Sequence, residues 1–372
     1  MIIGVPKEIK NHEYRIGLTP AGVKELSVNG HEVIVENNGG AAIGFDNEQY
    51  IEAGAKILND AAEIFATADM IIKVKEPQPV ECKMLRPGQI LFTYLHLAPD
   101  PQQTELLIAS GATCIAYETV TSSTGGLPLL APMSEVAGRM SIQAGAHALE
   151  KAQGGLGALL GGVPGVAPAE VLIVGGGVVG TQAARMAIGM GADVTVLDRS
   201  LPRLRQLDTE FDGRLKTVYS TADAMDQLIV KADLVIGAVL IPGATAPKLV
   251  TKKHIKMMKK GAVIVDVAID QGGCFETSKP TTHQDPTYIV DDVVHYCVAN
   301  MPGGVARTST IALTNATLPF AVTIANKGAK QALLDDAHLL AGLNVASGNI
   351  TNKPVADVLG YKYVDPSIAL SA

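Results

Sequence analysis

Three glycines, Gly175, Gly177 and Gly180, form the most specific chemical motif in the sequence. They follow the apolar run "VLIV" and precede an alanine-rich stretch, which predicts a strand, a tight turn and a helix. In such a turn the first glycine permits the sharp bend, the second lets backbone amides approach a pyrophosphate, and the third allows close packing of helix on strand. The N-terminus of the helix adds positive potential for the phosphates. The motif therefore predicts a dinucleotide-binding site.

An acidic residue ends the next predicted strand. Asp198 closes the run "DVTVLD", 23 residues after Gly175. A carboxylate at this position accepts hydrogen bonds from the ribose hydroxyls of the adenosine and repels a 2′-phosphate. The sequence therefore predicts NAD as the cofactor, while the neighbouring Arg199 leaves some use of NADP open.

Further candidates lie where predicted strands end, because ligands of doubly wound sheets bind beyond the carboxyl ends of the strands. In the second half of the chain these positions are occupied by Ser220, by Val239 and Leu240, and by Asp270 just before a glycine pair. The position of Asp270 at the mouth of the crevice fits a functional role. A solvated loop residue would fit Asp270 equally well.

The first half of the chain offers three charged or titratable candidates. Lys75 follows the run "MIIKV", His96 follows "ILFTYL", and Arg15 immediately precedes a predicted helix. A guanidinium is a natural partner of a substrate carboxylate, and an imidazole works as acid and base near neutral pH. His96 is the one histidine of eight with this placement. Solvated surface charge is the alternative for Arg15 and Lys75.

Short apolar runs that alternate with amphipathic stretches would position these residues. In the first 130 residues the runs predict strands at 2–6, 32–36, 70–74, 90–95 and 114–117. Helices are predicted to start at Thr19, ahead of Pro20, and at Asp46, which has capping-box spacing to Gln49. Strands alternating with helices indicate βαβ units and a mostly parallel sheet.

A helix-like stretch with Ser134 as its predicted N-cap leads to a second alternation. Strands are predicted at 171–175, 193–198, 216–220, 234–239, 262–268, 287–290 and 295–300, and the residues after 304 are helical again. The prediction is an α/β protein with two Rossmann-like domains, doubly wound parallel sheets and a cleft between them. Residues 1–128 plus 305–372 would form a discontinuous substrate (catalytic) domain, and residues 129–304 the nucleotide domain.

Composition and charge argue against several classes of protein. The 372 residues carry a formal charge of −7, which disfavours a nucleic-acid surface or a polybasic membrane contact. The best membrane candidate, 154–180, contains many glycines, two prolines and Glu170, so it fits a loop and a strand better than a spanning helix. Four scattered cysteines show neither disulfide nor zinc spacing, and the first residues do not predict a signal peptide. We expect a soluble, cytoplasmic protein and predict no metal site.

Longer motifs resemble one family from end to end. They include "GVPKEIKNHEYRIGLTPAGV", "KVKEP", "TYLHLAPD", "VIVDVAIDQGGC" and "HYCVANMPG". The chain thus resembles NAD-dependent alanine dehydrogenases and the related nucleotide-binding part of proton-pumping transhydrogenases. The resemblance implies reversible oxidative deamination of L-alanine to pyruvate and ammonium by a cytoplasmic homo-hexamer. Two alternatives stay open, namely a soluble NAD-binding subunit of a transhydrogenase and a saccharopine-type amino-acid dehydrogenase.

The resemblance also implies roles for single residues. Arg15 and Lys75 match substrate-binding residues, and His96 and Asp270 match the acid–base pair that serves water addition and collapse of the carbinolamine. Lys279 stands where the family commonly has arginine, which alters one cofactor contact. The implied NAD contacts are Ser134, Gly175, Gly177, Val178, Val179, Gly180, Asp198, Ser220, Val239, Leu240, Val267, Ala268, Ile269, Asp270, Lys279, Val298, Ala299, Asn300 and Met301.

Overall fold

The structure is a computed structural model that describes residues 1–239 and 246–371. The chain divides into two compact units. Unit 1 consists of Met1–Met133 and Val305–Ala372, and unit 2 consists of Ser134–Gly304. Within the described residues the strands and α-helices are, in chain order, β1 (Ile2–Val5), α1 (Pro20–Val28), β2 (Glu32–Glu36), α2 (Asn47–Glu52), β3 (Lys56–Leu58), α3 (Ala61–Thr67), β4 (Met70–Ile72), α4 (Pro79–Cys82), β5 (Ile90–Thr93), α5 (Pro101–Ser110), β6 (Thr113–Ala116), α6 (Ala131–Ala148), β7 (Glu170–Val174), α7 (Val178–Gly189), β8 (Asp193–Asp198), α8 (Leu201–Phe211), β9 (Lys216–Tyr219), α9 (Ala222–Ile229), β10 (Leu234–Gly237), α10 (Lys252–Met257), β11 (Val263–Asp266), β12 (Thr287–Val290), β13 (Val293–Tyr296), α11 (Ala306–Lys327), α12 (Ala329–Asp335), α13 (Ala337–Leu340), β14 (Leu343–Ala346), β15 (Asn349–Ile350), α14 (Lys353–Leu359) and α15 (Pro366–Ala369).

The sheet of unit 1 has the strand order β15-β14-β6-β5-β4-β1-β2-β3. The strands from β6 to β3 in that order are parallel to one another, whereas β14 is antiparallel to both β6 and β15. Strands β2 and β3 lie on one side of β1, and strands β4, β5 and β6 lie on the other side. The order in which successive strands are added to the sheet therefore reverses between β1 and β4. The carboxyl ends of β1 and β4 therefore form the switch point where a doubly wound sheet binds its ligand.

Unit 2 repeats this arrangement with seven strands in the order β12-β13-β11-β10-β7-β8-β9. Every neighbouring pair is parallel except β12 and β13. Its switch point lies between β7 and β10. Strands β10 and β11 are buried along their whole length, which explains why they are apolar throughout rather than alternating. Both units are α/β, with mixed sheets in which parallel pairs dominate.

Local signals in the sequence predicted several element starts correctly. The hydroxyl of Thr19 accepts a hydrogen bond from the Gly22 amide, with Pro20 as the first helical residue. Asp46 and Gln49 form the reciprocal capping box that their spacing indicates. The predicted strands of the first half correspond to β1, β2, β4, β5 and β6, and the short strands β3, β14 and β15 were not predicted.

Two predictions about elements were wrong. Ser134 is not an N-cap, because α6 begins at Ala131 with Pro132 in its first turn, where a proline without an amide hydrogen is well accommodated. The strand predicted at 295–300 is β13, which spans Val293–Tyr296, so it begins two residues earlier and residues 297–300 lie beyond its end. Asp291 and Asp292, with φ of 48° and 62°, form a tight two-residue turn that pairs Val293 with Val290 and so fixes the earlier start.

Three further findings concern the described residues as a whole. No helix in residues 1–239 and 246–371 is both long enough and apolar enough to cross a membrane. Across the same ranges, no group of three or more His, Cys, Asp or Glu side chains is arranged to hold a metal ion. The four cysteines are buried and free.

Candidate active site

Lys75 and His96 meet at one carboxylate, that of Glu76. Lys75 follows β4 and His96 follows β5, so adjacent parallel strands carry both residues to the same edge of the unit 1 sheet. Glu76 Oε1 lies 2.6 Å from His96 Nδ1 and 3.1 Å from Lys75 Nζ, and its Oε2 lies 2.7 Å from Lys10 Nζ. The Glu76 side chain is 10% exposed. The predicted placement at strand ends therefore brings a cation and an imidazole together, through an acid that sequence reasoning did not single out.

The backbone of His96 has an unusual conformation. Its φ is 45°, in the left-handed region that side-chain-bearing residues occupy at an energetic cost. The Glu118 carboxylate stabilises this bend by accepting hydrogen bonds from the amides of Leu95 at 3.2 Å and His96 at 2.6 Å. The imidazole stacks on Tyr94 with ring centroids 5.7 Å apart. His96 is thus fixed through both its backbone and its ring, while its side chain stays 43% exposed.

The charges around His96 and Glu76 shift both pKa values. Burial opposes the charged imidazole, but Glu118 and the hydrogen bond to Glu76 outweigh this effect and raise the pKa of His96. Burial also opposes the charged form of Glu76, yet His96, Lys75 and Lys10 together hold its pKa far below its ordinary value. The neighbouring Lys10, Lys75 and His96 thus favour the ionised form of Glu76.

Arg15 is buried in the loop before α1. Its Nε and Nη2 donate to the two carboxylate oxygens of Glu13 at 2.7 and 2.6 Å, and its Nη1 lies 3.2 Å from Met133 Sδ. The side chain is only 2% exposed. One bidentate edge of the guanidinium is therefore engaged with Glu13, so a substrate carboxylate would have to meet Arg15 from another side. The sequence had suggested the guanidinium as a carboxylate partner without revealing this pairing.

A second, fully buried cluster adjoins this site through the backbone of Lys75. The Lys73 ammonium is 3.0 Å from Glu8 Oε2 and 2.7 Å from Glu81 Oε1, and it has no exposed surface. Glu8 Oε1 also accepts hydrogen bonds from the amides of Val74 at 2.7 Å and Lys75 at 3.3 Å. Desolvation lowers the pKa of Lys73, but the two carboxylates more than compensate and raise it. Glu8 thereby fixes the backbone turn that carries Lys75 and Glu76.

The glycine turn of unit 2 has the geometry that its spacing predicts. Gly175 has φ of 105°, and a Cβ there would lie 2.7 Å from the Ala238 carbonyl oxygen. A Cβ on Gly180 would lie 1.9 Å from the Gly175 carbonyl oxygen, so only glycine lets α7 approach β7 this closely. By contrast, a Cβ on Gly177 would meet nothing within 4 Å. Gly177 is the N-cap of α7, and the first amides of a helix have no partner within the helix.

Asp198 ends β8 beside this turn. Its Oδ2 accepts a hydrogen bond from the Gly176 amide at 2.7 Å, and its Oδ1 accepts one from the Ser200 amide at 2.7 Å. Arg203, which sequence reasoning did not select, donates from Nε to the Gly176 carbonyl at 2.6 Å. The carboxylate is only half-buried and each oxygen has a further lone pair, so it can still accept hydrogen bonds from a ribose.

A buried carboxylate shapes the segment that carries Asp270. Asp266 ends β11 and accepts hydrogen bonds from the amides of Ala268, Cys274 and Phe275 and from the Ser278 hydroxyl. Burial raises the pKa of Asp266 against these stabilising bonds. The bonds hold Val267–Gln271 in a 3₁₀ turn, on which Asp270 is exposed. The sequence located Asp270 at the strand end but did not reveal that Asp266 supports its turn.

The other residues implied as cofactor contacts lie at the following places. Ser220 directly follows β9, and its amide donates to the Asp198 carbonyl at 2.9 Å. Val239 Cγ2 lies 2.9 Å from where a Cβ on Gly175 would be, so these two predicted residues are brought together. The Lys279 amide donates to the Tyr288 hydroxyl, and its ammonium lies 4.5 Å from the centre of that ring. Leu240 lies outside the described residues. Ser134 lies within α6, Val178 and Val179 open α7, and Val298–Met301 follow β13.

Two family models together match most of the chain. Alanine dehydrogenase/PNT, N-terminal domain, matches residues 4–137, and alanine dehydrogenase/PNT, C-terminal domain, matches residues 141–353.

Several full-length relatives share this likeness. An alanine dehydrogenase of Halomonas elongata is 63% identical, covering 98% of this chain and 98% of the relative. One of Bacillus subtilis is 57% identical, covering 100% of this chain and 98% of the relative. A solved L-alanine dehydrogenase structure matches with a TM-score of 0.94 at 50% identity, over 97% of this chain and 99% of that one. A transhydrogenase structure from Sinorhizobium meliloti matches with a TM-score of 0.82 at 25% identity, over 95% and 99%. This chain belongs to the alanine dehydrogenase/PNT family.

Proposed function

We propose that this chain catalyses the reversible NAD-dependent oxidation of L-alanine and water to pyruvate and ammonium. The observation that carries the proposal is the meeting of Lys75 and His96 on the Glu76 carboxylate at the switch point of unit 1. A fixed ammonium suits the carboxylate or carbonyl of a small amino or keto acid, and a fixed imidazole suits proton transfer. Full-length identity to alanine dehydrogenases supports the choice of substrate.

The residues present in unit 2 fit NAD. A Cβ on Gly177 would have no neighbour within 4 Å, which supports the approach of a pyrophosphate to the first amides of α7, and the half-buried Asp198 can bind ribose hydroxyls. Gly175 and Gly180 give the turn its shape. The remaining cofactor contacts proposed from the family likeness are Ser134, Val178, Val179, Ser220, Val239, Leu240, Val267–Asp270, Lys279 and Val298–Met301. When bound, NAD supplies the acceptor for a hydride from the substrate Cα.

Charged residues of unit 1 would hold the substrate. In our proposal Arg15 and Lys75 bind the carboxylate and carbonyl oxygens of alanine and pyruvate. Glu13 holds the Arg15 guanidinium in a single orientation, so little conformational entropy is lost when a substrate is bound. Oxidation of the neutral amine at Cα leaves an iminium, whose positive charge makes the carbon open to attack by water.

His96 would carry the protons of the hydrolytic steps. As a neutral base it takes a proton from the attacking water, which gives a carbinolamine, and as an acid it returns that proton to the departing amine. When the protonated carbinolamine collapses, the C=O bond forms as the C–N bond breaks, and the hydroxyl proton passes to the departing ammonia, which gives pyruvate and ammonium. We propose that the exposed Asp270 shares these proton transfers, in keeping with the family likeness. Unit 1 would thus act as the substrate domain and unit 2 as the NAD domain.

The number of subunits and the cellular location belong to the same proposal. We propose a homo-hexamer, on the family likeness, and a cytoplasmic location, which the four free buried thiols support because reduced cysteines are typical of that compartment. Sedimentation or mass photometry of the purified protein measures the subunit number directly. A monomer or dimer that is fully active would contradict the hexamer.

A panel of amino acids tests the activity. The purified protein is incubated with NAD and, separately, with L-alanine, D-alanine, glycine, L-serine, L-glutamate and saccharopine, while the absorbance of the reduced cofactor is followed. We expect the highest kcat/KM with L-alanine and consumption of NADH when pyruvate and ammonium are supplied together. Turnover of saccharopine alone would favour a saccharopine-type dehydrogenase. Binding of NADH without oxidation of any amino acid would favour a transhydrogenase subunit.

A further inference from the structure

The hydrogen bond between Glu76 and His96 determines which nitrogen of the imidazole carries the proton. Glu76 is held ionised by Lys10, Lys75 and His96, and an ionised carboxylate can only accept hydrogen bonds. Since Oε1 lies 2.6 Å from Nδ1, that nitrogen must carry a hydrogen in both the neutral and the charged imidazole. The nitrogen that gains and loses a proton is therefore Nε2.

Nε2 is also the nitrogen that a substrate can reach. The ring turns its Nδ1 edge toward the nearly buried Glu76, while the His96 side chain as a whole is 43% exposed. Among the described residues no hydrogen bond to Nε2 is present. The exposed part of the imidazole is therefore the edge opposite Glu76, where Nε2 lies.

The other charged groups near His96 do not fix its ring in this way. Glu118, on the turn after β6, binds the backbone amide of His96. Lys75 forms an ion pair with Oε1 of Glu76, the same oxygen that the imidazole contacts, and Lys10 forms an ion pair with Oε2. Tyr94 stacks on the ring face, and its hydroxyl donates to the Leu129 carbonyl. The rotation of the imidazole about its Cβ–Cγ bond therefore depends on Glu76. Lys10 in turn keeps the Glu76 carboxylate in place.

We propose that Glu76 is a positioning residue for the reaction, which holds His96 with Nδ1 protonated so that Nε2 is the nitrogen that takes the proton from water and returns it to the amine. The inference rests on the proposed acid–base role of His96. It adds a residue to the machinery and assigns the reacting atom. Orientation of an imidazole by a carboxylate is an effective device because it prevents the wrong tautomer and supports the imidazolium that forms.

The pH dependence of kcat/KM for L-alanine oxidation tests the proposal. Oxidation requires both neutral His96 and the neutral amine of alanine, so kcat/KM rises with pH through both pKa values, and only the pKa of His96 depends on Glu76. Glu76→Gln keeps the shape of the side chain but removes its charge, so the pKa of His96 falls and the acid limb should move to lower pH by about one unit. The plateau should fall about 10- to 100-fold, the usual range for losing a group that orients a reacting residue. An acid limb that does not move in Glu76→Gln would overturn the proposal.

Two controls separate a specific role from general damage. Glu32→Gln removes the same charge from a surface pair with Lys56, 2.7 Å apart in unit 1, and should leave the profile unchanged. Glu76→Asp keeps the charge but places the carboxylate one methylene group farther from His96. The plateau of kcat/KM should therefore fall, while the acid limb of the pH profile stays close to that of the wild type. If Glu76→Gln does not fold, as judged by circular dichroism, Glu76→Asp still decides the matter, because an undiminished plateau in that variant contradicts a positioning role.

A double variant distinguishes failure of this inference from failure of the proposed function. If Glu76 acts through His96, adding Glu76→Gln to His96→Ala should lower kcat/KM by less than about twofold, since coupled residues are not additive. The full effect of Glu76→Gln in that background would mean that Glu76 acts through Lys75 or the fold, and the inference would be wrong. Wild-type activity of His96→Ala alone would instead remove the acid–base role from the proposed function.

Discussion

The two units share a sheet order but present different chemical groups at the same place in it. In each, the first strand lies between the second and the fourth, and the switch point falls beside it. Unit 2 places a glycine turn and the N-terminus of α7 there, so the groups presented are backbone amides. Unit 1 places charged side chains there, among them Glu8, Lys73, Lys75 and Glu76. A fold therefore supplies a location, and the residues at the strand ends decide whether backbone groups or side chains are presented there.

The two solutions have different energetic costs. A backbone site needs little beyond the absence of Cβ atoms at Gly175 and Gly180. A side-chain site must keep ionised groups out of water, which is costly unless each is paired. Unit 1 meets this requirement with a network in which Lys73 contacts two carboxylates and Glu76 contacts three cationic or imidazole groups. The side-chain site should accordingly be the more sensitive of the two to loss of one charge.

The largest expected effect is that of His96→Ala, which removes the proposed acid and base from unit 1. We expect kcat to fall about 10²- to 10⁴-fold, the usual contribution of general acid–base catalysis. Affinity for NADH should stay near that of the wild type, because the glycine turn belongs to unit 2. Steady-state kinetics and NADH fluorescence titration measure both quantities. His31→Ala is the matched control, since His31 pairs with Asn326 at the start of β2, away from the carboxyl ends of the strands.

The second prediction concerns stability. Lys73→Met leaves Glu8 and Glu81 buried side by side without their common cation, which should lower the free energy of unfolding by about 3–5 kcal/mol. Lys56→Met breaks the exposed pair with Glu32 and should cost at most about 1 kcal/mol. Denaturant unfolding of both variants checks the difference. Equal, small losses would mean that the buried cluster does not hold the strand ends of unit 1 together.

The sequence predicted more about the backbone site of unit 2 than about the side-chain site of unit 1. The glycine turn is encoded within six consecutive residues and the adjoining strand and helix, so its geometry follows from local rules. Asp198 and the helix starts at Thr19 and Asp46 were equally local signals. The carboxylates of unit 1 were not found, because Glu8 meets Lys73 only through the pairing of β1 with β4, 65 residues apart.

Lys75 and His96 were selected for a different reason. Their places at strand ends were enough to select them, but not to show that they share Glu76 or that His96 has a positive φ. The sequence did carry a signal, since "KVKE" places three charged residues directly after the apolar start of β4. Charges that crowd the end of a buried strand have to be paired, and such a run indicates an ion network as well as a site.

The third prediction probes the backbone site with one substitution at two positions. In Gly180→Ala the new methyl group would lie 1.9 Å from the Gly175 carbonyl oxygen, so α7 must move. We expect a loss of about 1–3 kcal/mol in the free energy of unfolding, together with loss of NADH binding. Gly177→Ala meets no neighbour, so its stability should stay within about 0.5 kcal/mol of the wild type. Its affinity for NADH should nevertheless fall, because the methyl group occupies the approach to the amides.

The smallest expected effect is a change of cofactor preference. Asp198→Ala removes the carboxylate that would bind the ribose hydroxyls and repel a 2′-phosphate, so the ratio of kcat/KM for NAD to that for NADP should fall about 10- to 100-fold, as expected for one charged hydrogen bond. The matched control is Asp193→Ala at the opposite end of β8, where the carboxylate pairs with Lys216 on the surface.

Asp198 also accepts hydrogen bonds from the Gly176 and Ser200 amides, so part of the loss with NAD reflects a looser turn. The ratio of the two kcat/KM values separates the effect on the turn from the effect on the ribose. A looser turn weakens the binding of NAD and NADP alike, whereas loss of the charge favours NADP. A wild-type enzyme that uses both cofactors equally well would show that Asp198 serves the turn and not the ribose.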